Sequence, residues 1–425
     1  MTGDLEEEVK MKPNTHPQKG QALILIVLAI VGLIGLVALA IDGGNAFSDR
    51  RHAQNAADTA ALAAALAKVH QQDWATAGLG RAATNDYTND GVRSTVTVNN
   101  PPGAGCDGSV PNPVNLAADP DDTIGYYIQV IIHSNVHTYF APVVGIDQVH
   151  NCVEAIARGK PAVVKPIHFG NAMISLDPSS CSAFWSHGNS TALILGSGVF
   201  VNSNCPNNAF QQSGSSIVAS STICVVGGAT YNIGAVAPAP QTHCGDPIPY
   251  PPEYLWPQVT CSTNATKTGS VITPGNIPGS WIGGTVTLQP GTYCINGDVK
   301  INAGNNITGV GVLLYLSNGG LSINGGATVN ISAQTSGSFA GLLLYLPITN
   351  TNPIVLNGNS NSAFTGTILA PGSEIQVNGT GSAYGYHCQF IGKTVDMSGN
   401  NALTITYYDN ENYDITLPPS IDLVR

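Results

Sequence analysis

Between Lys300 and Tyr408 the chain holds only four charged residues, Lys300, Glu374, Lys393 and Asp396. Glu374 and Asp396 are of the type that cleaves glycosidic bonds in pairs, one carboxyl protonating the leaving oxygen while the other serves as base or nucleophile. Four charges over such a stretch hardly assemble the clustered Asp, Glu, Lys or Arg that a polysaccharide lyase or hydrolase requires, so a non-enzymatic protein is expected. His133, His137 and His150 lie near one another in sequence, but no carboxylate cluster accompanies them and imidazoles on adjacent strands can point apart. No metal site is therefore expected there. Asp409, Glu411 and Asp414 offer oxygens of the kind Ca²⁺ takes, yet near the C-terminus they read as a solvated tail. No phosphate-cradling glycine loop or Cys–His nucleophile pair stands out, and no cofactor is implied.

All nine cysteines, from Cys106 and Cys152 to Cys388, follow residue 41, as expected if the C-terminal part occupies an oxidising compartment. The odd count leaves one thiol free or paired between chains. Candidate bridges are Cys181 with Cys205, Cys224 with Cys244 or Cys261, and Cys294 with Cys388, and spacing leaves the connectivity open. Only 10% of the 425 residues are charged while 43% are hydrophobic, against roughly 25% charged in an ordinary soluble domain. A net charge of −11 removes the basic footprint of a nucleic-acid binder. The length allows two or three domains.

The elements that must position these residues begin with Ala22 to Ile41, an uninterrupted apolar run of 20 residues. At about 1.5 Å per residue it matches a ~30 Å hydrocarbon core. It exceeds the roughly 7 to 15 residues of a signal-peptide core, so a retained, uncut membrane anchor is expected. Lys10, Lys12 and Lys19 precede the run and Arg50 and Arg51 follow it, narrowly favouring a cytoplasmic N-terminus. From Asn45 to Lys68 there is no Pro or Gly and Ala is abundant, so the helix is expected to continue beyond the membrane. Ala53, Ala57, Ala61 and Ala65 make one i, i+4 ladder and Ala56, Ala60 and Ala64 the next, a face smooth enough for another helix to approach. Gly43-Gly44 is a candidate hinge.

Lys19-Gly20-Gln21, the apolar run, Asp42, the pair Arg50 and Arg51, then Gln54-Asn55-Ala56-Ala57-Asp58 and the Ala60 to Ala65 run resemble the N-terminal segment of TadE/TadG-like proteins of the bacterial Flp (tight adherence, Tad) pilus-assembly system. Val153 to Arg158 resembles the strand that closes the small domain after that helix. The resemblance implies a single-pass protein of the bacterial cytoplasmic membrane with an extracytoplasmic C-terminal part, in the periplasm or at the cell surface, acting in pilus assembly and adhesion. Its partners would be the lipid bilayer, pilus-assembly or pilin components met through the Ala-rich helix, and an envelope or surface glycan; no nucleic acid is implied. Leu25 stands five places after Gly20, where a prepilin cut there would carry an acidic residue, so pilin-type processing is not implied. Leu176 to Cys181 (LDPSSC) is similar to the metal-dependent adhesion motif of von Willebrand A-type domains in some TadG relatives, but Cys181 takes the place of a serine and no βαβ succession follows.

Strand-like runs at Ser94 to Val98, Tyr126 to Val136 and Gln148 to Ala157 predict a small α/β domain against the helix. Beyond Lys160 the texture changes. Short β-rich runs end in turns at Gly304, Gly325, Gly358, Gly379 and Gly399, spaced near 21 residues with one longer step, and a second series (GVLLYL, GLLLYL, GTILAP, HCQFI) places another strand on each repeat. Self-similarity at this period marks stacked coils, and Asn at the turns can ladder from coil to coil without charges. The expected fold is a transmembrane helix extending into a long Ala-rich helix, a small α/β domain and a mainly-β domain of parallel β-solenoid type, an antiparallel β-sandwich being the alternative. The expected division is a cytoplasmic tail over 1–20, anchor and helix over 21–72, the α/β domain over 73–162, the solenoid over 163–410 and a C-terminal tail over 411–425. The function expected is a membrane-anchored envelope protein of the Tad type, the alternative being a tethered carbohydrate-active enzyme or glycan-binding module.

Overall fold

The computed structural model describes residues 21–116, 119, 121–251, 256–358, 362–379, 385–400 and 402–424; the expected cytoplasmic tail over 1–20 lies outside them. The chain forms two compact units, Met1–Ala162 with Pro419–Arg425, and Val163–Pro418.

In the first unit, α1 runs unbroken over Gln21–Val69. It passes through Gly43-Gly44, so the expected hinge is ordinary helix, because continuous i to i−4 bonding outweighs the roughly 1 kcal/mol cost of each glycine. The apolar first half is lipid-like in its exposure, with Leu23, Leu28, Leu33 and Leu39 all directed away from protein. The second half packs with α2 (Trp74–Ala83) on an antiparallel sheet. That sheet has the order β1 (Ser94–Asn99), β2 (Tyr127–His137), β3 (Gln148–Lys160) and the C-terminal strand Ser420–Leu423. Asp73 caps α2 by accepting from the N–H groups of Ala75 and Thr76, each at 3.1 Å. The expected tail over 411–425 is thus a correction: its last strand completes this sheet, because Ile421 supplies an apolar residue at the open edge of β3.

The second unit is a parallel β-solenoid of about ten turns. Its strand pairings are parallel from coil to coil, which rules out the sandwich. Each coil contributes three faces, and on each face residues of the same class stack from coil to coil. One inward column runs Val299, Leu321, Ile354, Ile375, Val395, Phe184 and Phe210. A second runs Tyr293, Leu314, Leu344, Ile368, Phe390, Met173, Val199 and Ile223. Outward positions carry the ladders anticipated from the turns, Thr287 with Thr308 at 3.2 Å and Asn324 with Asn302 at 2.9 Å. Polar ladders satisfy the exposed groups and buried columns need no charge, which accounts for the low charge density.

The coils are not stacked in sequence order. Met173–Ser175, Phe184–Ser186 and Thr191–Leu195 pair with Tyr386–Gly399 and Ala402–Thr406, so the first coil lies on the last. From this junction residues 173–242 wind outward to one end; the chain then crosses and winds back from 267 to 406 from the other end. The proline-rich stretch that includes Pro247, Pro249 and Pro251 belongs to this crossing. It is covered in apolar contacts: Tyr250, Trp256 and Val259 pack on Ile174, Leu313, Leu369 and Ile391 along one outer face. Cys224–Cys244 fastens its start and Cys261–Cys294 its end. The chain enters and leaves the solenoid through an antiparallel ribbon of β4 (Val163–Pro166) with Asp414–Leu417.

Candidate functional site

The residues around the exit of the apolar helix form the first candidate region. Asp42 is buried and its carboxylate accepts the backbone N–H groups of Tyr139, Phe140 and Ala141 at 2.8, 3.0 and 2.8 Å. A carboxylate accepting three backbone donors is favoured in its charged form. Two helical turns further on, Asp49 gathers Tyr87 Oη at 3.0 Å, Asn151 Nδ2 at 2.8 Å and the Ser134 hydroxyl. Burial, then the charge and hydrogen bond of Asp49, hold the Tyr87 phenol well above its usual range. Gln54 donates to Asp58 Oδ1 at 2.8 Å and to the Glu154 carbonyl at 2.9 Å, tying α1 to β3. Arg50, Arg51 and Asn55 face solvent, and neither arginine makes an ion pair among the described residues.

The Ala ladders are a packing face whose occupant is the chain itself. Ala53, Ala56, Ala57, Ala60, Ala61 and Ala65 are fully buried against Val96, Val130, Ile132, Val153, Ala155 and Ala157. A Cβ placed on Gly159 would lie 2.8 Å from the Ala65 carbonyl oxygen, so this helix approaches its sheet closely enough to demand small residues on both sides. The Ala face is therefore filled by the domain's own sheet.

Near the end of the inner strand β3, Arg158 donates to Asp119 and, at 3.1 Å, to Asp122, while Lys160 also donates to Asp119. Tyr127 Oη donates to Asp122 at 2.6 Å. Burial alone would raise the Asp119 carboxyl, but the hydrogen bonds from Lys160 and Arg158 outweigh it and hold it at about 2. Sequence reasoning missed Asp49 and this network; the available signal was an Asp directly before the Arg50-Arg51 pair.

The three histidines share one exposed face. His133 stands opposite Cys152, His150 opposite Asn135 and His137 opposite Gln148. Their ring nitrogens meet Asn135 Oδ1 at 2.6 Å from His150 and Gln148 Nε2 at 3.3 Å from His137, and no group of three metal-type side chains occurs among the described residues. Cys152 is bridged to Cys106, and Cys181 to Cys205. Cys388 is free and buried; the expected Cys294–Cys388 bridge is corrected, because Cys388 lies inside the coil column with its thiol on the Phe364 carbonyl at 3.2 Å. Burial raises that thiol's pKa well above the usual value, which leaves it unreactive. Asp177 accepts from the N–H groups of Ser179 and Ser180 at 2.9 and 2.8 Å and faces Lys393 at 3.7 Å, the geometry of a turn cap.

A second candidate region lies on the outer side of the solenoid at the junction. Gln376, Asp396, Trp185 and Gln211 are successive members of one outward row. His187 lies 3.0 Å from Asp396 Oδ1 and stacks on Trp185 with ring centroids 4.0 Å apart. Glu374, two residues before Gln376 on the same strand, accepts from Gln376 at 2.9 Å. Burial raises the Asp396 carboxyl, and the neighbouring His187 opposes that rise. The two carboxylates singled out in the sequence are thus neighbours on adjacent coils, beside an aromatic ring able to stack on a sugar.

Residues 20–67 match the family model described as putative Flp pilus-assembly TadE/G-like. The match coincides with α1, so this is a Tad-type segment with a helix of membrane-spanning length, followed by a solenoid domain. No curated protein and no solved structure matches the chain.

Proposed function

We propose that this protein is a non-enzymatic, single-pass envelope protein of Tad-type pilus assembly and surface adhesion, with its N-terminus in the cytoplasm and its solenoid presented outside the membrane. The observation that carries the reading is the Tad-type match over residues 20–67 on a helix whose apolar half has no buried side chain among residues 23–41. The four cysteine bridges downstream of that helix support an oxidising compartment for the rest. Arg50, Arg51 and Asn55 are the motif residues left facing outward, and they replace the Ala face as the surface for pilus components. The test is loss of the gene in the source bacterium, complemented by the native chain or by Arg50→Glu with Arg51→Glu. Loss of pili and of surface attachment, restored by the native chain only, is expected; unchanged piliation and attachment in the null strain would remove the reading.

The Glu374, Asp396, His187 and Trp185 group favours a second reading, in which the junction face binds or cleaves an envelope glycan. A raised carboxyl beside a second carboxylate is the pairing that glycoside hydrolysis uses. Product analysis against a panel of polysaccharides separates the two: no turnover is expected, and turnover abolished by Asp396→Asn would establish the enzyme.

A further inference from the structure

The segment between β2 and β3 is unlike any other loop of the first unit. Thr138 to Ile146 reads TYFAPVVGI, without a charged residue. Three of its large side chains point outward: Val143 is 91% exposed, Tyr139 73% and Ile146 50%. It faces one stripe of α1, and between them lies a cleft of about 450 Å³ lined by Val31, Ile34, Ala38, Leu39, Phe140 and Val143. From Val31 to Asp42 the helix rises about 16 Å, about half of a ~30 Å hydrocarbon core. The loop therefore flanks the helix at depths that belong to the bilayer once the apolar run spans it.

The backbone of the loop is also prepared for such a place. The N–H groups of Tyr139, Phe140 and Ala141 end on the Asp42 carboxylate. Those of Val143, Gly145 and Ile146 end on the carbonyls of Phe140, Pro142 and Ala141, at 3.2, 3.0 and 3.1 Å. The Thr138 hydroxyl covers the Ile146 carbonyl. Backbone in hydrocarbon must satisfy its polar groups within the protein because lipid offers no partner, and these six N–H groups meet that condition. The polar residues His137 and Asp147 stand at the two ends of the loop, where it would leave the apolar layer.

We propose that Thr138–Ile146 is a second membrane element, a re-entrant apolar loop that dips into the leaflet on the C-terminal side of the helix and takes lipid acyl chains into the cleft beside α1. Asp42 is its positioning residue: at the end of the span it holds the loop's first turn against the helix. The domain is thereby attached to the bilayer at two points, which fixes its tilt and rotation relative to the membrane in a way a lone helix does not. The inference rests on the helix being a membrane span, and its test separates the two.

The full chain is reconstituted in phosphatidylcholine vesicles with plain or brominated acyl chains, and tryptophan emission is read as the difference from the native chain. Val143→Trp and Ile146→Trp report the loop, and Ile30→Trp reports the span. Each replaces an outward-facing side chain, so folding is preserved. The expected result is that all three added emissions are blue-shifted and lose most of their intensity in brominated lipid. Quenching of Ile30→Trp with neither loop reporter quenched would overturn the loop and leave the anchor standing. Absence of quenching at Ile30→Trp as well would overturn both.

Discussion

The helix-bearing domain and the solenoid are held together by different kinds of contact. In the first, each polar side chain has one partner set found nowhere else: Asp42 with the turn at Tyr139, Asp49 with Tyr87, Ser134 and Asn151, Arg158 with Asp119 and Asp122. In the second, a coil repeats its neighbour, and a position is defined by its column, apolar inward and Thr or Asn outward. Singular contacts constrain the identity of a residue, whereas columns constrain only its class and spacing.

The difference is broken most severely by changing register. Deleting Val299–Gly320 removes one coil and leaves Leu321 where Val299 stood; the flanking coils can restack, since stability in such a fold is roughly a sum over coils and interfaces. Deleting Val299–Gly309 removes about half a coil, places strands where turns belong and directs apolar side chains outward. In urea unfolding of the full chain, followed through Trp185, Trp256 and Trp281, the whole-coil deletion should keep a cooperative transition and the half-coil deletion should lose it. Equal behaviour of the two would contradict the columns.

A smaller effect is expected where the first domain depends on a single close approach. Gly159→Ala introduces a methyl against the Ala65 backbone and should cost about 1–3 kcal/mol, as overpacking in a close-packed core does. Urea unfolding of the full chain, followed through Trp74, reads this, and an unchanged midpoint would show that the helix and sheet are less tightly joined than their geometry implies.

The smallest effect is electrostatic. Asp119 is held at about 2 in the folded state, against 3.8 for an unperturbed carboxyl. Its folded pKa is depressed, so its contribution is present above about pH 4 and is lost as pH falls toward 2, where the folded carboxyl takes up its proton. Asp119→Asn should flatten the acid limb of stability for the first domain between those values and leave the solenoid transition unmoved. An acid limb that persists unchanged in the variant would assign it to other carboxylates.

Much of this architecture was legible in residue pattern, and the reasons are local. An apolar run with no polar side chain is a membrane-length helix whatever surrounds it, and Ala-rich sequence without Gly or Pro continues it. A period near 21 with Asn-Gly turns specifies stacked parallel strands because each coil buries its inward residues only against a like coil. Spacing offered Cys181 with Cys205 and left Cys224 between Cys244 and Cys261; the structure joins Cys181 to Cys205 and Cys224 to Cys244.

What pattern could not settle was which surfaces meet. A coil end presents apolar side chains and open backbone groups to any coil that fits, so period alone does not say that Phe390 rests on Met173 or that Val395 rests on Phe184. Packing also joined Cys294 to Cys261 in place of Cys388 and brought Asp396 beside Trp185 and His187. The Ala ladders likewise announced a close approach without naming the sheet that makes it, and Asp42 lies almost a hundred residues from the turn it caps. Helices, strands and their repeat follow from neighbours in the chain; the junction, the bridges and the charged hubs follow from neighbours in space, which only the folded packing selects.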